Sequence, residues 1–178
     1  MRLTDDRYRL ERHRLRLGLR LLRHEAKNST IRTCTGLSED RVRKLFKSYL
    51  EGRSATPLRR KRGKSPQEPY IFFRNERAHL QASLLAGALR QLDVVAYADI
   101  EREITVTLAE RCCDAFEYYL TLFDDALFTF EHAWFLATAL GQGRELCFVE
   151  CAQCHAGLLQ DNWAGRQRPC PFCGGKSA

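Results

Sequence analysis

Cys151-Ala152-Gln153-Cys154, then fifteen residues, then Cys170-Pro171-Phe172-Cys173 is the stretch that decides how the C-terminal part of this chain folds. A two-residue spacer lets one tight turn present both sulfurs of a pair to a single ion. Fifteen residues are enough for a short hairpin to bring the second pair round. Four thiolates then complete a tetrahedron around Zn²⁺ at about 2.3 Å per bond. With every position filled by protein, no site remains for water or substrate, so such a metal is structural rather than catalytic. The alternatives are two disulfides or two metal-free thiol pairs. The arginine-crowded start has no apolar signal core, and the reduced thiols of a cytoplasmic protein favour the metal. A [4Fe–4S] cluster also takes four thiolates, but the symmetric pair-and-pair spacing favours zinc. Gly157 follows the first pair and Gly174-Gly175 the second, where tight turns are needed. Pro169 and Pro171 stiffen the second turn, and Cys147 and His155 lie near enough to be substitute ligands.

Outward from this stretch, charge divides the chain. The net charge of +7 conceals two opposed segments. Residues 1–70 carry 20 Lys/Arg against 8 Asp/Glu, whereas residues 71–143 carry 5 against 11. A basic end joined to an acidic middle points to a polyanion partner for the first part, nucleic acid ahead of an anionic membrane surface. The longest apolar region, Ala126 to Leu140, contains Glu131 and His132 and is too short and polar to span a bilayer. A soluble, cytoplasmic protein without membrane association is the expectation.

These features divide the chain into four parts: a basic helical region over 1–52, a basic linker over 53–69, an acidic helical bundle over 70–143, and a Cys₄ zinc module over 144–178. The fold class is mainly α. Residues 7–26 hold seven arginines among leucines; the period is ambiguous, but Leu and Arg with no β-branched residue favour a helix. A helical turn at Ser29–Cys34 runs into Thr35-Gly36-Leu37, and Ser38 is placed to cap a second helix, with Glu39 and Asp40 complementing its dipole. Val42, Leu45, Phe46 and Tyr49 form its apolar stripe. Lys44 and Lys47 point away from that stripe, with Arg41 and Arg43 on its flanks. Helix, glycine turn and capped basic helix is the pattern of a helix-turn-helix, and equally of an ordinary helical hairpin with a solvated basic face. Arg32, where a small residue would help packing, does not fit the first.

Three prolines between Pro57 and Pro69 exclude a regular helix there. The basic run Arg59-Arg60-Lys61-Arg62-Gly63-Lys64 can track a phosphate backbone or simply be solvated. In the bundle, Leu80, Leu84, Leu85, Leu89 and Leu92 make one stripe; Ile100, Ile104, Leu108 and Cys112 another, continued by Phe116, Tyr119, Leu120 and Phe123. A last helix carries Leu127, Phe130, Trp134, Phe135 and Leu140 and ends near Gly141 and Gly143, with Asp124-Asp125 as its N-terminal signal. Arg144 to Glu150 reads as a short strand feeding the metal site. No Ser/His/Asp set, nucleotide loop or open metal site emerges, so no enzymatic activity is expected.

Taken together, these residues resemble the FlhC family, the C subunit of the bacterial flagellar transcriptional activator. Leu17-Gly18-Leu19-Arg20 is similar to its Leu-Gly-Ala-Arg. Thr35-Gly36-Leu37-Ser38 with Arg41, then Lys44-Leu45-Phe46-Lys47, resembles its helix-turn-helix segment. Phe72-Phe73 with Glu76, Ala82-Ser83, Ala133-Trp134, Gly143 and Leu146 follow in the family's order, and Cys151, Cys154, Cys170 and Cys173 fall on its four zinc cysteines. His155-Ala156 stands where the family has Gly-Gly, and five residues follow Cys173 where it has a charged extension. The chain resembles a divergent or shortened member. The resemblance implies one zinc per chain and a transcription activator that binds double-stranded DNA. It further implies a hetero-oligomer, a heterohexamer, with a D-type subunit, acting through RNA polymerase. Two other classes stay open: a zinc-containing RNA-binding or ribosome-associated protein, and a thiol-redox enzyme using one C-x-x-C pair.

Overall fold

The structure is a computed structural model and describes residues 3–51, 63, 66, 68–94, 106–165 and 168–175. Six α-helices and one two-stranded sheet lie among them, so the fold is mainly helical. Ile100 and Ile104, and almost all of the linker 53–69, fall outside the described residues.

Helix α1 (Leu3–Arg23) leads to α2 (Asn28–Thr35) and α3 (Glu39–Tyr49). Gly36 ends α2 with φ 69°, a left-handed conformation that glycine adopts without the Cβ clash other residues suffer. Ser38 occupies the N-cap position of α3, although its hydroxyl makes no capping hydrogen bond. Val42 and Leu45 are buried and Phe46 packs partly against the core. The expected stripe stops there, because Tyr49 is 56% exposed. Against this trio, α1 presents Gly18, where an added Cβ would stand 3.1 Å from Leu37 and 3.3 Å from Leu45. Leucine-lined helices approach closely at that glycine, and Leu17, Leu21 and Leu22 of α1 are buried in the same core.

After a 3₁₀ turn at Pro69–Phe73, α4 (Glu76–Gln91) runs through the middle of the molecule. Asn75 caps it by accepting the Ala78 N–H at 2.8 Å. The apolar stripe expected here is only part of what α4 buries. Ala78, Ala82, Leu85 and Leu89 form one buried face, His79 and Ser83 line another, and Gln81 is buried as well. Leu80 and Leu84 are only half-buried, because small residues let the neighbouring elements approach elsewhere. Helix α5 (Val106–Leu122) packs on α4 and buries Leu108, Cys112, Phe116 and Tyr119, while Leu120 is 40% exposed and leaves that stripe. Gln81 locks the pair: its Oε1 accepts the Tyr119 hydroxyl at 2.5 Å and the Leu127 N–H at 2.9 Å.

Helix α6 (Phe130–Gln142) starts later than Asp124-Asp125 suggests. The aspartates form a turn, with Asp125 paired to Arg77. Thr129 is the true cap, its N–H held by His132 Nδ1 at 3.1 Å. Gly143 closes α6 with φ 62°. Glu131, buried on the first turn of α6, accepts the Lys27 N–H at 2.8 Å and the Thr30 hydroxyl at 3.0 Å, tying the start of α2 to the bundle. The strands β1 (Leu146–Glu150) and β2 (Gly157–Asp161) pair antiparallel with Phe148 opposite Leu159. Buried residues of α1 to α6, with Leu146 and Leu159 of the hairpin, form one continuous core.

Opposite charge joins α1 to α5. Arg20 donates to Glu117 at 2.7 and 2.6 Å and to Asp114 at 2.5 Å. His24 meets Glu117 at 2.7 Å, and His13 meets Glu110 at 2.5 Å. The Glu117 carboxyl is held down at about 2, chiefly by the Arg20 hydrogen bond and further by His24. Its ordinary value is 4.5, so its contribution to stability is full above that value and is lost as pH falls toward 2. Glu117→Gln is therefore expected to lower the urea midpoint at neutral pH. The gap to wild type should narrow as the pH drops from about 5. A gap that stays constant across that range would remove the α1–α5 ion pair from the stabilising interactions.

Candidate metal centre

The first C-x-x-C pair is the tip of the β1–β2 hairpin, because β1 ends at Glu150 and β2 opens at Gly157. Its turn closes with the His155 N–H on the Cys151 carbonyl at 3.0 Å and the Cys151 N–H on the Ala156 carbonyl at 2.9 Å. The second pair repeats this arrangement. The Gly174 N–H donates to the Cys170 carbonyl at 2.9 Å, and the Cys170 N–H to the Gly175 carbonyl at 2.7 Å. Each knuckle needs a left-handed residue after its second cysteine: His155 has φ 59° and Gly174 φ 73°. Histidine carries at the first knuckle a conformation that glycine holds at the second, and it is anchored by Glu150 at 2.7 Å.

Both turns aim backbone N–H groups at sulfur. Gln153 N–H points to Cys151 Sγ at 3.5 Å, Phe172 N–H to Cys170 Sγ at 3.4 Å, and Gly175 N–H to Cys173 Sγ at 3.4 Å. Donors so placed favour thiolates. The N–H groups of Cys154 and Gln153 pull the Cys151 thiol down to about 6. Cys154 receives the Ala156 N–H, yet the three neighbouring thiols raise the pKa of this exposed cysteine. Backbone donors thus favour the thiolate at Cys151 over that at Cys154, and a cation among the four sulfurs would favour the thiolate form of its ligands.

The four sulfurs lie within 4.8 Å of one another, with Cys151–Cys173 and Cys154–Cys170 both at 3.7 Å. A regular tetrahedron with bonds of about 2.3 Å has edges of about 3.8 Å, so the donor set fits one tetrahedral ion. A four-iron cluster would hold the sulfurs on separate irons, farther apart. None of the eight cysteines is in a disulfide, and neither 3.7 Å separation is that of one. Cys147 is half-buried in β1, and neither it nor His155 belongs to the cluster.

Three contacts that the sequence did not announce hold this centre against the helices. His79 Nε2 meets the Leu159 carbonyl at 2.7 Å, and the Leu159 N–H reaches Ser83 Oγ at 3.1 Å. A carbonyl only accepts, so Nε2 carries the proton; burial, the main influence, lowers the His79 pKa and keeps the ring neutral. Gln160 then pairs with the backbone of Arg168 on both sides, at 3.0 and 3.3 Å, and so returns the chain toward Cys170. Phe148 fills the space between Gly87 and Gly157, where a Cβ on Gly157 would meet its ring at 2.5 Å. Only polar residues on a buried helical face could have signalled this docking, and their partner is distant in sequence.

The residues expected to bind DNA are dispersed. Arg41, Arg43, Lys44 and Lys47 are all exposed on α3. Arg41 pairs with Glu11 of α1, and Arg43 with Glu39 at 3.5 Å and Asp40 at 3.4 Å. Lys44 and Lys47 make no ion pair among the described residues. Arg59, Arg60, Lys61, Arg62 and Lys64 lie outside them. Also among the described residues, no helix is long and apolar enough to cross a membrane. The chain matches no protein-family model and no curated protein.

Metal analysis of the purified chain is expected to give one ion per molecule. Cys170→Ser should lose it and open residues 144–175 to protease, since metal affinity here is folding free energy. Full occupancy with unchanged protease resistance in that variant would contradict the assignment.

Proposed function

We propose that this chain is a zinc-stabilised DNA-binding subunit of a bacterial transcription activator. It acts in the cytoplasm, in a hetero-oligomer with a D-type subunit and through RNA polymerase, at flagellar or related motility promoters. The observation that carries this reading is α3: a helix anchored by Val42 and Leu45 that turns Lys44 and Lys47 outward, free of carboxylates among the described residues. With α2 and the Gly36 turn before it, α3 is suited to the reading helix of a helix-turn-helix. The resemblance to the FlhC family supplies the partner subunit, the polymerase and the promoters. Zinc is the ion that four thiolates in tetrahedral array favour. A metal so enclosed has no position for a reacting water, so its part is to fix the fold.

Exposed aromatic rings favour a second reading. Trp163 is 77% exposed and Phe172 39%, and such rings stack on single-stranded bases, as an RNA-binding protein would use them. Excess single-stranded RNA displacing a bound probe that duplex DNA leaves in place would select this alternative.

The division of labour between helix and linker can be measured. A packed helix holds side chains where they can read base edges, whereas Arg59 to Lys64 would grip phosphates without regard to sequence. Replacing Lys44 or Lys47 is expected to cost about 1–3 kcal/mol at the preferred site and little on random duplex. Neutralising two linker arginines should weaken both equally. Helix variants that lose affinity equally on both duplexes would make α3 a backbone clamp and move specificity to the partner subunit or the zinc region.

A further inference from the structure

Helix α1 sorts its cations by direction. At 3.6 residues per turn, Gly18 and Leu22 face α3, while His13, Arg20 and His24 face the carboxylates of α5. Arg9, Arg12, Arg16 and Arg23 fall together within about 60° of arc on the side away from the core, and all four are exposed. None makes an ion pair among the described residues, in contrast to Arg20, which is committed to Glu117 and Asp114. From Arg9 to Arg23 the stripe runs about 21 Å along a rigid helix. Arg9, Leu10, Arg12, His13 and Arg16 line a surface depression of about 530 Å³.

We propose that this arginine stripe is a phosphate-binding ridge that holds the backbone of a nucleic-acid duplex, distinct from α3 and the linker. The proposal rests on the reading of the chain as a DNA-binding protein and adds a surface to it. Guanidinium forks match phosphate oxygens two at a time, and a row of them on one helix suits a linear array of phosphates. An anionic membrane is the lesser fit, because Leu17, Leu21 and Leu22 of α1 are spent in the core and only Tyr8 and Leu10, near its start, are exposed apolar residues on that helix. The ridge has an acidic edge, Glu110, Asp114 and Glu117, already hydrogen-bonded by His13, Arg20 and His24. That edge would repel a duplex laid across α1 and tolerate one laid along the stripe.

The test is a binding titration of the full zinc-loaded chain on specific and random duplexes at several salt concentrations. Wild type is compared with Arg9→Gln/Arg16→Gln/Arg23→Gln and with the same three sites changed to Lys. Circular dichroism and metal content confirm that each variant is folded. The Gln variant should lose affinity on both duplexes alike, and its salt slope should fall by about 0.9 per lost contact. The Lys variant should keep the slope. An unchanged slope in the Gln variant, with Lys44→Gln still impaired, overturns the ridge and leaves the DNA-binding reading standing. Failure of wild type to bind duplex even at low salt overturns both. Binding to vesicles of anionic lipid but not to duplex, lost in the Gln variant, overturns the proposal in favour of a membrane-facing stripe.

Discussion

Four sulfurs held within 4.8 Å of one another are the constraint on which the C-terminal half depends. Thiolates that close repel, and in the first knuckle backbone donors lower the Cys151 pKa while the neighbouring thiols raise that of Cys154. A dication held by Cys151, Cys154, Cys170 and Cys173 would remove the conflict. It would make the knuckles rigid, fix the hairpin tip and present β2 to α4 in one register. Leu159 is the point of transfer, since both its N–H and its carbonyl are taken by side chains of α4. A centre that looks like a small appendix is thereby fastened to the central helix of the molecule.

Charge is handled with similar economy of position. The basic first segment is not a free arm for a polyanion, because Arg20 and two histidines are used to clasp α1 to the acidic α5. On α3, Arg41 and Arg43 are likewise held by carboxylates. On α1 and α3, among the described residues, Lys44 and Lys47 and the outward arginines of α1 remain exposed and outside these ion pairs. A nucleic acid meeting this surface would find cations on two helices whose other faces are locked in the core. Such preorganisation turns nonspecific attraction into defined orientation.

The sequence was most legible where the physics is local. C-x-x-C spacing fixes a turn by itself, and the knuckles stand where it placed them. Gly36 and Gly143 marked helix ends correctly because a left-handed residue acts within one turn; Ser38 stands at the N-cap position without making the cap hydrogen bond. Legibility failed where a residue's role is set by a distant partner. Nothing near His79 or Ser83 reveals that a hairpin eighty residues on will need a donor and an acceptor. Tyr49 and Leu120 continue their stripes in spacing but extend past the surfaces that cover them, and so face solvent. Asp124-Asp125 looked like a helix start, yet Thr129 with His132 offers the reciprocal cap and begins α6 later. The opposed charges of α1 and α5 were visible as composition; that they meet each other required the fold.

The central claim is that the metal centre and the helical body are one cooperative structure joined at α4. Amide hydrogen exchange before and after removal of the metal by a chelator tests it most directly. If the account holds, protection is lost in the knuckles and the hairpin and also along Glu76–Gln91, where His79 and Ser83 lose their partners. Loss confined to residues 144–175, with α4 exchanging as slowly as before, would contradict it and leave the metal centre an independent module.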